Sequence, residues 1–243
     1  MSPEKTPILE VSKLVKRFGG FHALDGLSFH VVPGEILGLV GPNGSGKTTA
    51  INVISGLYAP DGGEVTFDGE AIGGTASHRL VHRGINRTFQ VPKPFMSLTV
   101  HENVKVALAY GRAAIAPPAI NDLLDEYRLA EFAERPASEL NSAQQKMLDL
   151  IRALATRPRL LLLDELAAGL NPAELNWIAG RIKALAASGV AIIVVEHLMG
   201  FIDKVTDRVV VMAAGKEFFG GTLSDAARNP EVIRVFLGGG HHA

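Results

Sequence analysis

Three stretches of the chain are apolar at every position: ILGLV (36–40), LLLL (160–163) and AIIVV (191–195). A fourth, RVVVM (208–212), is apolar after its arginine. A strand with one wet face alternates, so unbroken apolar runs of this length suit strands covered on both faces, as in the centre of an α/β sheet. Nearer the start the pattern is different. In EVTFDG (64–69), Val65 and Phe67 alternate with Glu64, Thr66 and Asp68, and Asp68-Gly69 supplies a turn. ILEVSKLV (8–15) and ALDGLSFHV (23–31) also read as short strands. Helix-forming stretches at 47–55, 142–156 and 173–187 lie between the apolar runs. Strands alternating with helices predict a mostly parallel sheet. From about Phe95 to Leu140 helix formers dominate, interrupted by GRAAIAPPA (111–119), whose adjacent prolines end any helix. This predicts a helical lobe over 92–150, inserted into a core made of 1–91 and 151–243, all within one domain.

Composition narrows the picture without changing it. The 243 residues suffice for one large core with a smaller lobe. With 24 Lys and Arg against 25 Asp and Glu, no basic excess draws in a nucleic-acid backbone, so no nucleic-acid partner is expected. Cysteine is absent, which excludes disulfides and thiolate metal sites. MSPEKTPILE lacks the apolar core of a signal peptide, and no apolar run approaches the roughly 18 residues of a membrane helix. The expectation is a soluble, intracellular chain. The ending GGGHHA places His241 and His242 in a tail expected to be disordered, with metal binding a remote alternative.

The chemistry begins at GPNGSGKTT, Gly41, Pro42, Asn43, Gly44, Ser45, Gly46, Lys47, Thr48 and Thr49. Gly41, Gly46, Lys47 and Thr48 complete the pattern G-x-x-x-x-G-K-[ST] between a buried-type strand and a helix-forming run. Glycines let backbone N–H groups turn inward around phosphate oxygens, and the helix N-terminus adds positive potential. Lys47 brings a cation to the β- and γ-phosphates, and Thr48 offers a hydroxyl to Mg²⁺. A second metal anchor is expected from LLLLDE (160–165). Asp164 suits the Mg²⁺ shell, and Glu165 would lie beside the γ-phosphate, able to align and deprotonate a water. The bland alternative is a solvated strand end. AIIVV ends in Glu196-His197, and strand C-termini gather at the ligand crevice of such sheets, so His197 could reach the γ-phosphate. Taken alone, a structural histidine is the commoner case. Gln90, in RTFQVP, would by itself be a turn residue.

In order along the chain, GPNGSGKTT, RTFQ, LLLLDE, AGLNP and VVEH resemble the motifs of ABC transporter ATPases. The resemblance covers nearly the whole chain. RTFQVPKPFMSLTVHENV, LLLLDELAAGLNPAE and NPEVIRVFLG are most similar to ATPase subunits of branched-chain amino acid importers. It implies that Gln90 is the Q-loop glutamine, contacting Mg²⁺ and facing the membrane partner. It also implies that Ala168-Gly169-Leu170-Asn171 is the D-loop and His197 the switch histidine. Phe18 resembles the aromatic that stacks on adenine, with a core aromatic as the alternative.

The family's signature, Leu-Ser-Gly-Gly-Gln, falls on Leu140-Asn141-Ser142-Ala143-Gln144. In the family this loop caps a helix whose N-terminus meets the ATP of the opposite subunit. Asn141 keeps a polar cap, but both glycines are gone. If either position needs φ > 0 or close approach of a phosphate, Ser142 or Ala143 costs about 1–3 kcal/mol of strain. Leu166 replaces the usual proline after the catalytic glutamate, which raises the question of what keeps that turn rigid. The resemblance implies an α/β P-loop core with a small antiparallel β lobe and a helical lobe. It implies ATP and Mg²⁺ as cofactors, transmembrane permease subunits as partners, and attachment to the inner face of the cell membrane. The damaged signature beside an otherwise complete set of motifs suggests a second ATPase subunit of different sequence. The isolated chain would then be mostly monomeric and weakly active. The rival readings are a lipid or lipopolysaccharide exporter ATPase, a soluble ABC protein of DNA repair or translation, and a binding module without hydrolysis.

Overall fold

The computed structural model describes residues 6–112 and 118–238. His241, His242 and most of GRAAIAPPA lie outside these residues. The apolar runs form the middle of a six-stranded sheet. Its strands are β3 (Ile36–Val40), β6 (Ile85–Arg87), β7 (Leu160–Asp164), β8 (Ala191–Val195), β9 (Arg208–Ala213) and β10 (Lys216–Gly221). The order is β10-β9-β3-β8-β7-β6, and every pairing is parallel except β10 with β9. The antiparallel edge follows from the turn after Ala213, where Ala214 and Gly215 both take positive φ. A four-stranded antiparallel sheet, β2-β1-β4-β5, forms the N-terminal lobe. It comprises β1 (Leu9–Phe18), β2 (Phe21–Val31), β4 (Gly62–Phe67) and β5 (Glu70–Ala71).

The unbroken apolar runs are explained by the two cores they serve. Along β7, Leu161 and Leu163 point into one hydrophobic cluster while Leu160 and Leu162 point into the other. β8 divides in the same way, Ile192 and Val194 to one side, Ala191, Ile193 and Val195 to the opposite side. Successive strand residues face opposite ways, so a sheet packed on both sides needs apolar residues at every position. One cluster joins the sheet to the β lobe, α1 (Lys47–Ile54) and Leu80 of α2 (Ser77–Arg83). The other joins it to the inserted helices.

The insert is less helical than its residues suggest. Between Phe95 and Leu140 only α3 (Val100–Ala109) and α4 (Ile120–Glu126) are α-helices among the described residues, followed by 3₁₀ turns at Ala130–Phe132 and Ala137–Glu139. The start of the stretch is held as a loop by the fully buried Asn103. Its side-chain nitrogen donates to the Phe95, Leu98 and Thr99 carbonyls, and its oxygen accepts from Phe95 N. Thr99 and Glu102 then form a capping box that fixes where α3 begins. α5 (Ser142–Ala155) runs without a break through residues 150 and 151, the expected lobe–core boundary. It packs in the same cluster as Val100 and Leu124 of the insert and Leu161 and Leu163 of the sheet, so insert and core share one hydrophobic interior. α6 (Pro172–Ala187), α7 (Met199–Val205), α8 (Leu223–Arg228) and α9 (Pro230–Gly238) complete the chain. No helix among the described residues is long and apolar enough to cross a membrane.

Candidate nucleotide site

The C-terminal ends of β3, β6, β7 and β8 deliver the site. β3 runs into residues 41–46, β6 into Thr88-Phe89-Gln90, β7 ends at Asp164 before Glu165, and β8 is followed by Glu196-His197. In a sheet of this topology, ligands bind at this edge.

The loop after β3 is built around glycine. Gly41, Gly44 and Gly46 all take positive φ. A Cβ on Gly41 would come 2.2 Å from the Met212 carbonyl oxygen, and one on Gly46 would come 2.5 Å from that of Ala23. No other residue fits at these two positions. Ser45 N donates to the Pro42 carbonyl at 3.2 Å, and the Ser45 carbonyl accepts from Gly215 N at 3.0 Å, closing the loop against the β10 turn. α1 starts at Lys47 directly behind it, aiming its free N-terminal amides at the cleft. Lys47 is 6% exposed; its ammonium donates to the Gly41 carbonyl at 2.8 Å and the Pro42 carbonyl at 3.0 Å. Burial lowers its pKa, and the nearby charges of Glu165 and Asp164 oppose that shift. The cation is stretched across the mouth of the loop, where phosphate oxygens can replace carbonyls as its partners.

A cleft of about 440 Å³ opens over this loop. Asn43, Gly44, Gly46, Lys47, Thr48 and Thr49 line its floor, Gln90, Glu165 and His197 one wall, and Phe18, Phe21 and Ala23 another. Phe18 is 44% exposed and packs edge-on against Tyr58 with ring centroids 5.3 Å apart, so it is not a core residue. Phe21, beside it and 64% exposed, was not anticipated; an exposed aromatic on an alternating strand gives no signal of a ligand wall.

Glu165 is bracketed. Its Oε2 accepts from Gln90 Nε2 at 2.7 Å, and its Oε1 lies 3.0 Å from His197 Nε2. Its backbone is held in the left-handed region at φ 51, unusual for a residue other than glycine, asparagine or aspartate. Four hydrogen bonds keep it there. Glu165 N donates to the Val195 carbonyl, Ala167 N donates to the buried Glu196 carboxylate, and the Lys146 ammonium donates to the Glu165 and Ala168 carbonyls. These bonds, with Leu166 buried at 3% exposure, do what a proline after Glu165 would otherwise do.

Asp164 is 2% exposed, and burial raises its pKa against the opposing charge of Arg87. Arg87 Nη2 lies 3.2 Å from Asp164 Oδ2, and the same guanidinium reaches Asn52 Oδ1 and Ser55 Oγ and lies over the Phe89 ring. Asp149 accepts from Phe89 N at 2.9 Å, anchoring the segment that presents Gln90. Lys146 and Asp149 lie outside the motifs, while Arg87 and Glu196 stand within RTFQ and VVEH, whose pattern gives them no role. Lys146 and Asp149 did leave one trace, because charged residues sit among the apolar positions of α5. The oxygen donors Thr48, Asp164 and Gln90 suit Mg²⁺, which is usually held through one or two carboxylates, with phosphates and water supplying much of the rest. Asp164 is a buried carboxylate already paired through Oδ2 with Arg87, so Mg²⁺ would have to share that carboxylate with the guanidinium.

The loop 141–144 lies elsewhere. Asn141 caps α5 with a complete capping box, Asn141 Oδ1 accepting from Gln144 N at 2.9 Å and Gln144 Oε1 accepting from Asn141 N at 2.8 Å. Neither Ser142 nor Ala143 takes positive φ, so the strain expected from the lost glycines is absent. Asn141, Ala143 and Gln144 line a separate hollow of about 200 Å³ with Tyr127, Met147 and Trp177, not the cleft over the P-loop. The D-loop segment leads into α6, with Gly169 at φ 81 and Asn171 capping the helix.

A P-loop, an acidic strand end, a bracketed glutamate and an aromatic wall on a twin-sheet α/β frame define a nucleoside-triphosphate-binding cassette. The sequence profile of the ABC transporter family matches residues 24–168, and the chain belongs to that family. It is 37% identical over 250 residues to the high-affinity branched-chain amino acid transport ATP-binding protein BraF of Pseudomonas aeruginosa, covering 96% of this chain and 98% of BraF. It is 36% identical over 245 residues to the probable branched-chain amino acid transport ATP-binding protein LivG of Archaeoglobus fulgidus, covering 95% of each. The ADP conformation of an ATP-binding cassette of an ABC transporter superposes with a TM-score of 0.84 at 31% identity, over 96% of this chain and all of that one.

Proposed function

We propose that this chain binds Mg²⁺-ATP in the cleft over residues 41–49 and hydrolyses it to power import of a branched-chain or related amino acid. It works on the inner face of the membrane, with transmembrane permease subunits and a second ATPase chain. The observation that carries the reading is Glu165, placed at the mouth of a P-loop cleft between Gln90 and His197. The cargo is supported by the transport proteins that the chain is similar to over nearly its full length.

The residues divide the work by position. Phe18 offers its face to the adenine, and residues 41–46 cradle the phosphates with backbone amides. Lys47 exchanges its carbonyl partners for β- and γ-phosphate oxygens. Thr48, Asp164 and Gln90 would hold Mg²⁺, which supplies charge neutralisation on those oxygens. Glu165 takes a proton from the attacking water, and His197 orients the carboxylate and the γ-phosphate. With Gln90 and His197 on its two oxygens, Glu165 is held in place at the cleft and keeps lone pairs free to accept the water's proton.

Phe18→Ala should weaken ATP binding about tenfold, the scale of one base–aromatic stack. Inorganic triphosphate should bind Phe18→Ala and wild type alike. Calorimetric titration with both ligands checks this, and equal losses for the two would place the adenine elsewhere.

Because 141–144 faces away from this chain's own cleft, it is free to meet nucleotide held by another chain. The backbone needs no glycine at 142 or 143, so the handicap is reduced to the added side-chain bulk where phosphate would approach. We read the pair as unequal, with the partner's P-loop site the weaker one. Asn141→Ser, Ser142→Gly and Ala143→Gly together should raise ATP-dependent dimerisation and turnover of the isolated chain several-fold. A wild-type chain that already dimerises and hydrolyses ATP briskly would show that Asn-Ser-Ala is a sufficient signature.

A further inference from the structure

We propose that Lys146 is a positioning residue that joins the two nucleotide sites of the assembled ATPase pair. It ties the helix whose tip serves the partner's ATP to the turn that carries this chain's own Glu165. This rests on the reading of 141–144 as a docking loop.

Lys146 lies five residues beyond Asn141 on α5, about one and a half turns behind the cap. The helix between them is stiffened by the Asn141–Gln144 capping box and by Gln145 Nε2 donating to the Leu140 carbonyl at 3.0 Å. A displacement of the tip is therefore carried to Lys146. The lysine is 8% exposed, and its ammonium is not spent on a surface carboxylate. It donates to the Glu165 carbonyl at 2.8 Å and to the Ala168 carbonyl at 2.6 Å. Those two carbonyls bound a turn of four residues. Glu165 supplies the carboxylate at the cleft, and Ala168 begins the segment that leads through Gly169 to α6.

The turn is gripped from its other side as well. Glu196, 2% exposed, accepts from Ala167 N at 2.5 Å. Burial lowers the Lys146 pKa, and the charges of Glu196 and then Glu165 oppose that. Buried ammonium groups carry a large desolvation penalty unless several strong acceptors meet them. Here both acceptors are backbone carbonyls of one strained turn, one of them belonging to a residue at φ 51. A side chain that served only to fill the core would be apolar, like its neighbours Met147, Leu148 and Leu150. The geometry gives Lys146 a different task, to fix the orientation of Glu165 to the position of the α5 tip.

Lys146→Met and Lys146→Arg, each in this chain of the assembled transporter, test the coupling. Affinity for a non-hydrolysable ATP analogue should stay within about twofold. In Lys146→Met, kcat should fall about 10–100-fold with KM little changed, as expected for a reacting group moved by a fraction of an ångström. Lys146→Arg, which keeps the charge and the donors, should recover part of kcat. A photo-crosslinkable ATP analogue, used with vanadate, reads each chain's site separately. Trapped nucleotide should fall on both chains with Lys146→Met, but mainly on this chain with Glu165→Gln. Unchanged kcat, or a loss confined to one chain, overturns the proposal. If Lys146→Met does not assemble, Lys146→Gln carries the same test, and wild-type turnover in that variant overturns it too. A wild-type assembly without ATP turnover contradicts the ATPase reading itself, a separate result visible before any variant is made.

Discussion

Glu165→Gln is expected to leave ATP affinity intact and to lower the turnover of the assembled transporter about 10²–10⁴-fold, the range of a positioned general base. The substitution is nearly isosteric. It keeps the oxygen that meets His197 Nε2 at 3.0 Å, and Gln90 can still pair with the amide by turning its own. What it removes is the proton acceptor. The backbone at φ 51 is held by Val195, Lys146 and Glu196, none of which depends on the side chain at 165, so the turn should persist. Single-turnover measurements with labelled ATP separate binding from chemistry. Near wild-type hydrolysis in Glu165→Gln would remove it from the reaction and move attention to another polar group of the cleft.

Lys47→Ala should cost both binding and hydrolysis. Hydrogen bonds from a cation to charged oxygens contribute about 1.5–3 kcal/mol each, so the loss of one contact weakens ATP binding about 10–150-fold. The same variant releases the Gly41 and Pro42 carbonyls that the ammonium now bridges. For that reason its melting temperature should be read alongside calorimetric titration with a non-hydrolysable analogue. Lys47→Arg separates the two effects, since it keeps charge but cannot enter a loop built to the dimensions of a lysine. Unchanged affinity in a folded Lys47→Ala would mean that the phosphates are held without this cation.

Much of the frame could be read from the chain, for identifiable reasons. The apolar runs at 36–40, 160–163 and 191–195 had to be buried on both faces, and they form the central strands β3, β7 and β8. β8 matches its run residue for residue and ends where Glu196 follows it. β6 was not legible. INR is three residues long, offers no periodicity, and becomes a strand only because Leu160, Leu161 and Leu162 provide its partners. Yet β6 is what carries Gln90 to Glu165. The Phe95–Leu140 stretch was over-read as helix because propensity does not record Asn103, whose buried amide holds 95–99 as a loop.

The site was legible where chemistry demands a fixed local pattern. The P-loop glycines are such a case, since Gly41 and Gly46 admit no side chain. Residues that act across the fold left no pattern that reveals their partners. Arg87 meets Asp164 from 77 positions away, and Lys146 meets Glu165 from 19. Each is an ordinary charged residue until the sheet and α5 bring it into place. At the signature loop the structure answers one of two conditions that the sequence leaves open. Loss of two glycines suggested backbone strain, but Ser142 and Ala143 sit in ordinary helical conformation behind the Asn141 cap. Only the close approach of a partner's phosphate is left to penalise them.

The central claim is that ATP hydrolysis at this chain's cleft drives amino-acid import, and uptake in reconstituted vesicles tests it most directly. The chain would be assembled with its permease subunits and second ATPase, with ATP supplied to the side bearing the ATPases. Uptake of radiolabelled leucine, isoleucine or valine should require ATP and collapse with Glu165→Gln in this chain alone. Vigorous ATP turnover with no uptake of any aliphatic amino acid, or uptake that persists in Glu165→Gln, would contradict it.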